Sequence, residues 1–165
     1  MNPLGIVAIL SLAFIIAYLI TPLIIKLAPR VGAVDRPNLR KVHTRTMPRM
    51  GGLAIYIAYV TTLLTTQAID TRLVGLLIGG TLIMLLGLVD DIRNLSPRVK
   101  LLGQILAALS LVAFGVQVDF ITNPITGGIV VLGMMAAPLT VLWLVGITNA
   151  VNLIDGLDGL AAGVS

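Results

Sequence analysis

Apolar residues run along this chain in long blocks separated by short polar stretches. A helix rises about 1.5 Å per residue, so about 20 residues cross a hydrocarbon core about 30 Å thick. The blocks Leu4–Leu27, Gly51–Ala68, Leu73–Val89, Val99–Val118 and Pro138–Ile154 predict five such spans. The first is too long, and lacks the basic start and small-residue cleavage site, for a signal peptide. Pro22 is expected to kink it, because its ring conflicts with the Tyr18 carbonyl. Ile69–Arg72 reads as a tight turn and Asp90–Arg98 as a polar loop. Ser96-Pro97 has the chemistry of an N-cap followed by the first helical residue, and Lys100 can snorkel from the next turn. Asp119–Ala136 carries turn signals at Asn123-Pro124 and Gly127-Gly128 between β-branched residues, which predicts a short hairpin or re-entrant piece outside the membrane. A further full span there is the alternative. Asp155–Ser165 is a Gly-rich turn leading to the start of a sixth span. The expected fold is an all-α polytopic membrane protein, a single transmembrane domain over residues 1–165.

Composition agrees. The chain is 58% hydrophobic and 11% charged, with a mean hydropathy of +1.07. Soluble domains are about a quarter charged, and so few charges could not cover a water-exposed surface. There is no Cys and one His, which excludes disulfides and multi-His zinc sites within these residues. The net charge of +4 reflects basic residues gathered in one loop, so nucleic-acid binding is not expected. Lys26, Arg30, Arg36, Arg40, Lys41, Arg45, Arg49, Arg93, Arg98 and Lys100 fall on one side of the predicted membrane and only Arg72 on the other. The positive-inside rule puts the first group in the cytoplasm and the N-terminus outside.

All seven acids are Asp. Asp70 and Asp119 fall outside; Asp35, Asp90, Asp91, Asp155 and Asp158 share the cytoplasmic side with the basic loop. Asp90-Asp91 ends a span where the helix dipole is already negative, and adjacent carboxylates repel. Either a divalent cation or neighbouring Arg93, Arg98 or Lys100 is needed to hold them. Mg²⁺ suits such a place, because it takes oxygen ligands from one or two carboxylates together with substrate phosphates. In Asn149-Ala-Val-Asn152-Leu-Ile-Asp155-Gly-Leu-Asp158 polar groups recur at every third residue. Polar groups in a membrane helix are costly and either serve function or glue helices together. The loop from Arg36 to Gly52 offers Arg and Lys for phosphates, or serves as a topology signal touching anionic lipids. Carboxylates, a cation and a basic loop at one membrane face suit phosphoryl transfer between a soluble and a lipid substrate.

Four segments in order carry a resemblance: Asp35-Arg-Pro-Asn-Leu-Arg-Lys-Val-His43, Pro48-Arg-Met-Gly-Gly52, Gly87-Leu-Val-Asp-Asp91 with Leu95-Ser-Pro97, and Asn149 through Ala161. They resemble the polyprenyl-phosphate N-acetylhexosamine-1-phosphate transferases, and most nearly the bacterial undecaprenyl-phosphate N-acetylglucosamine-1-phosphate transferases that initiate teichoic acid, O-antigen or related cell-envelope glycans. The resemblance implies transfer of N-acetylglucosamine-1-phosphate from UDP-N-acetylglucosamine to undecaprenyl phosphate, with release of UMP and with Mg²⁺, at the bacterial plasma membrane. It implies Asp90 and Asp91 as catalytic, Asn152 and Asp155 at the metal, and Asp158, Asn149, Lys41, His43, Arg45 and Arg49 as substrate contacts. Muramoyl-pentapeptide transferases carry Thr-Pro-Thr before the Gly pair; Met47-Pro48-Arg49 here favours the N-acetylglucosamine branch. Family members are about twice as long, so the chain is expected to be the N-terminal half of such an enzyme, inactive alone. A homodimer is compatible with the resemblance. The competing readings are an inactive fragment that binds a membrane partner and a small ion-coupled transporter.

Overall fold

The computed structural model describes residues 2–35 and 47–154. Five α-helices lie among the described residues: α1 (Pro3–Val31), α2 (Gly51–Thr66), α3 (Thr71–Arg93), α4 (Pro97–Ala113) and α5 (Ala136–Ile154). The chain divides into two compact units, Met1–Asp70 with Gly80–Ser96, and Thr71–Gly79 with Pro97–Ser165. Large apolar side chains such as Phe14, Leu23, Ile55, Leu102, Leu142 and Trp143 are exposed, while the buried apolar positions are mostly Ala. That inverts the soluble pattern and matches helices solvated by lipid, where small residues make the helix contacts. The protein is a multi-pass membrane protein.

Of the five expected spans, α1, α3 and the segment Gly133–Ile154 are long and apolar enough to cross a membrane. At 16 and 17 residues, α2 and α4 are shorter than the blocks that predicted them. Helix α4 stops before Val118 because the amides of Phe114 and Gly115 fold back on the carbonyls of Leu111 and Val112, at 3.1 and 2.9 Å, tightening the last turn. Helix α1 runs without interruption through Pro22 and on to Val31. The start of a sixth span lies outside the described residues.

In the first unit, α1 ends in a Schellman arrangement. Gly32 takes the left-handed conformation (φ 79°), and the amides of Gly32 and Ala33 return to the carbonyls of Pro29 and Ala28. The chain then enters a two-residue strand, β1 (Val34–Asp35), paired antiparallel with β2 (Met47–Pro48), which leads into α2. Ile24, Ala28, Ala33, Met50 and Ala54 form the core beneath this ribbon, with Leu88 of α3 packed against it. Higher up, the Tyr56 hydroxyl hydrogen-bonds Thr81 of α3.

In the second unit, α4 and α5 pack together, and strands β3 (Phe120–Thr122) and β4 (Ile129–Val131) form the expected hairpin between them. Asn123 Oδ1 accepts from the amides of Ile125 and Thr126 at the tip, as its turn chemistry requires. The first turns of α3 meet the end of α4 through glycine. A Cβ on Gly79 would lie 2.6 Å from Leu111 Cγ, and one on Gly75 would strike Phe114. Gly79→Val is therefore expected to destabilise the protein by about 1–3 kcal/mol through overpacking. Gly87→Ala, where a Cβ meets nothing within 4 Å, serves as the control. Unfolding in detergent micelles checks both, and equal stability of the two variants would sink the close-approach argument.

Candidate active site

The Schellman turn and the ribbon place Arg49. Its amide donates to the Ala33 carbonyl at 3.0 Å, one residue beyond the ribbon. From there its Nε lies 3.6 Å from Asp91 Oδ1, and its guanidinium donates to Asn94 Oδ1 at 3.3 Å. Arg49, two residues before α2, is thereby fixed on Asp91 in the last turn of α3 and on Asn94 just beyond it.

Asp90 and Asp91 are helical, because α3 continues to Arg93 and the polar loop is shorter than expected. Asp90 Oδ1 accepts the Leu95 amide at 2.9 Å, and its carbonyl accepts the Asn94 amide at 2.8 Å. Asn94 supplies the left-handed residue (φ 50°) that turns the chain out of the helix. The carboxylates that sit badly in the α3 dipole thus meet a backbone donor and a guanidinium. That guanidinium comes from the basic loop's far end, whereas the sequence pointed to Arg93, Arg98 or Lys100. The Arg49 and Asp91 side chains are 36% and 26% exposed, so the pair contributes at most about 1 kcal/mol. Its importance is positional.

In the second unit, Asn149 and Asn152 lie in the last two turns of α5. Asn149 Nδ2 donates to Gln104 Oε1 of α4 at 2.6 Å and to the Val145 carbonyl at 2.8 Å. Gln104 is buried and Asn152 is exposed. Interhelical hydrogen bonds of this kind average about 0.6 kcal/mol in membranes. Lys41, His43, Arg45, Asp155 and Asp158 lie outside the described residues. Among the described residues no group of three or more His, Asp or Glu could hold a metal ion. In the first unit Asp90 and Asp91 offer carboxylate oxygens, and in the second Asn152 offers a carboxamide oxygen; each by itself is a hard donor of the kind that suits Mg²⁺.

Sequence reasoning missed Asn94 and Gln104. Asn is the residue other than Gly that most readily adopts a left-handed conformation, and a lone amide in an apolar helix must find a partner; those were the available signals.

The profile of glycosyl transferase family 4 matches residues 73–165, more than half of the chain. The chain belongs to glycosyl transferase family 4. It is 49% identical over 158 residues to a probable undecaprenyl-phosphate N-acetylglucosaminyl 1-phosphate transferase of Bacillus subtilis, covering 93% of this chain and 44% of that protein. It is 41% identical to the decaprenyl-phosphate N-acetylglucosaminephosphotransferase of Mycolicibacterium smegmatis, covering 98% of this chain and 43% of that protein. It is 34% identical to a phospho-N-acetylmuramoyl-pentapeptide-transferase of Halalkalibacterium halodurans, covering 93% and 53%. The chain therefore spans about half the length of the curated relatives it matches. No solved structure matches it.

Two substitutions separate backbone from side chain at the end of α3. Asn94→Val forces a β-branched residue into the left-handed region and is expected to cost about 1–2 kcal/mol. Asn94→Gly removes only the Arg49 acceptor and is expected to stay within about 1 kcal/mol of the native protein. Denaturation in detergent distinguishes them, and a Val variant as stable as the Gly variant would show that the left-handed turn does not secure this corner.

Proposed function

We propose that the chain forms part of a transferase that moves N-acetylglucosamine-1-phosphate from UDP-N-acetylglucosamine to undecaprenyl phosphate. The site is proposed to lie on the cytoplasmic face of a bacterial plasma membrane, with the N-terminus outside. The observation that carries the reading is the Arg49–Asp91 pair beside Asp90 in a family 4 chain. It gathers two carboxylates and a cation at one helix end, as a reaction between two phosphate-bearing substrates requires.

A lipid phosphate oxygen attacks the β-phosphorus of the nucleotide sugar, a P–O bond forms there, and the bond to UMP breaks. A phosphate monoester with a second pKa of about 6 is mostly dianionic at neutral pH, so the attacking group needs orientation more than deprotonation. Asp90, with one carboxylate oxygen tied to the Leu95 amide, is held to orient that phosphate or take its residual proton. Asp91 assists and fixes Arg49, whose remaining donors are suited to phosphate oxygens. Lys41, His43 and Arg45 on the same loop, and Asp158, are proposed as further substrate contacts. Asn152 and Asp155 would hold Mg²⁺, which when bound neutralises charge on the phosphates. The donor preference for N-acetylglucosamine rests on Met47-Pro48-Arg49 and on the relatives' names.

The experiment is UMP release in detergent from UDP-N-acetylglucosamine, undecaprenyl phosphate and Mg²⁺. It compares this chain with the same chain continued to its relatives' full length. Release is expected in the continued chain and expected to fall on the order of 10²-fold or more in Asp90→Asn. A folded continued chain that transfers nothing, or an Asp90→Asn variant at full rate, would overturn the reading.

A further inference from the structure

Gln104 is one of three buried polar residues among the described residues, alongside Thr62 and Thr140. It sits in an α4 stretch whose neighbours from Leu101 to Ala108 are otherwise apolar or small. The group it meets is Asn149, the first polar residue of the repeating row on α5. A carboxamide has two N–H donors and one carbonyl oxygen. Both Asn149 donors are spent, one on Gln104 Oε1 across the helix interface and one on the Val145 carbonyl of its own helix. Only Oδ1 is left, and it is an acceptor. Phosphate and diphosphate oxygens are acceptors as well, so in this arrangement Asn149 has nothing to offer them.

We propose that Gln104 is a positioning residue that holds the end of α5 through Asn149, and that Asn149 serves the site through this hydrogen bond rather than by touching substrate. The inference rests on the transferase reading. Its physical content is registry. Asn152 follows Asn149 by three residues, about 4.5 Å further along the helix, so locking Asn149 to α4 fixes both the height and the rotation at which Asn152 is presented. A displacement of about 1 Å at a reacting centre can cost on the order of a hundredfold in rate. An amide pair in an apolar interface has few alternative partners, which makes it a good registry device.

The test is a double-substitution cycle in the chain continued to its relatives' length, with Gln104→Leu, Asn149→Leu, both together, and Gln104→Glu. The readouts are kcat and KM for UDP-N-acetylglucosamine by UMP release, together with the melting temperature in detergent. Each Leu variant is expected to lower kcat/KM on the order of tenfold or more, mainly in kcat. The double variant is expected to be no worse than the poorer single one, because both remove the same bond. Gln104→Glu keeps an oxygen acceptor for Asn149 Nδ2 and is expected to recover most of the lost turnover. Two results overturn the proposal. One is an Asn149→Leu loss that multiplies undiminished on the Gln104→Leu background, which marks a direct substrate contact. The other is a Gln104→Leu variant that melts lower but turns over normally, which marks mere packing. If the unsubstituted enzyme releases no UMP, the transferase reading fails by itself, and the pairing is decided by the melting temperatures. Non-additive losses sustain it and additive losses refute it.

Discussion

Hydrocarbon offers a membrane helix neither water for its polar groups nor an apolar driving force toward its neighbour, since lipid tails are as oily as leucine. Helices then associate where small side chains let backbones approach, and where the few polar groups can reach one another. Ala28 and Ala54 line the core of the first unit, and in the second Gly75 and Gly79 admit Phe114 and Leu111 where any Cβ would be refused. The polar contacts follow the same economy. Tyr56 meets Thr81, Gln104 meets Asn149, and Thr140 accepts the Val118 amide at 2.9 Å while donating to Ala136 at 2.7 Å.

That constraint reaches the chemistry through a short mechanical path. The small-residue core holds α1 and α2 close. The αL turn at Gly32 directs the chain from α1 into the ribbon, and Ala33 and the ribbon deliver Arg49 to Asp91. Little of the energy lies in the ion pair itself, which is too exposed to contribute much. The pair gains its fixed geometry from backbone hydrogen bonds and buried alanines, which do not depend on ionic strength. A cation supported this way can be solvent-accessible and still well placed.

Much of this could be read from the sequence, for identifiable reasons. Uninterrupted apolar blocks have no competing interpretation at such lengths, so all five helices were found, with α5 correct to within two residues at its start and matched at its end. Asn123-Pro124 and Gly127-Gly128 gave the hairpin, and Ser96-Pro97 gave the start of α4, because turn and cap chemistry are local. What escaped was non-local. The Asp90-Asp91 pair announced a need for positive charge, but Arg49 was not foreseen as a source of it, because it arrives by way of a two-residue ribbon that no pattern signals. The end of α3 was placed too early because a carboxylate pair looks like a loop until its partners are known. Lys41, His43, Arg45, Asp155 and Asp158 fall outside the described residues, so their roles stand as the resemblance implied them.

The spacing of the row on α5 separates two kinds of asparagine. Residues three apart on an α-helix are turned by about 60° relative to one another, so a row with that period cannot keep all its members on one face. Asn149 lies on the side of α5 that meets α4 and is partly buried there. Asn152, one step on, has rotated off that side and is exposed. A motif that looks uniform as a string is therefore sorted by helical geometry. Its first amide is drawn into the helix interface and consumed by it, while the next is carried outward with its hydrogen-bonding groups available. The same polar chemistry, repeated at a period that drifts, lets one short segment both fasten itself to a neighbouring helix and leave its next carboxamide exposed beyond the contact.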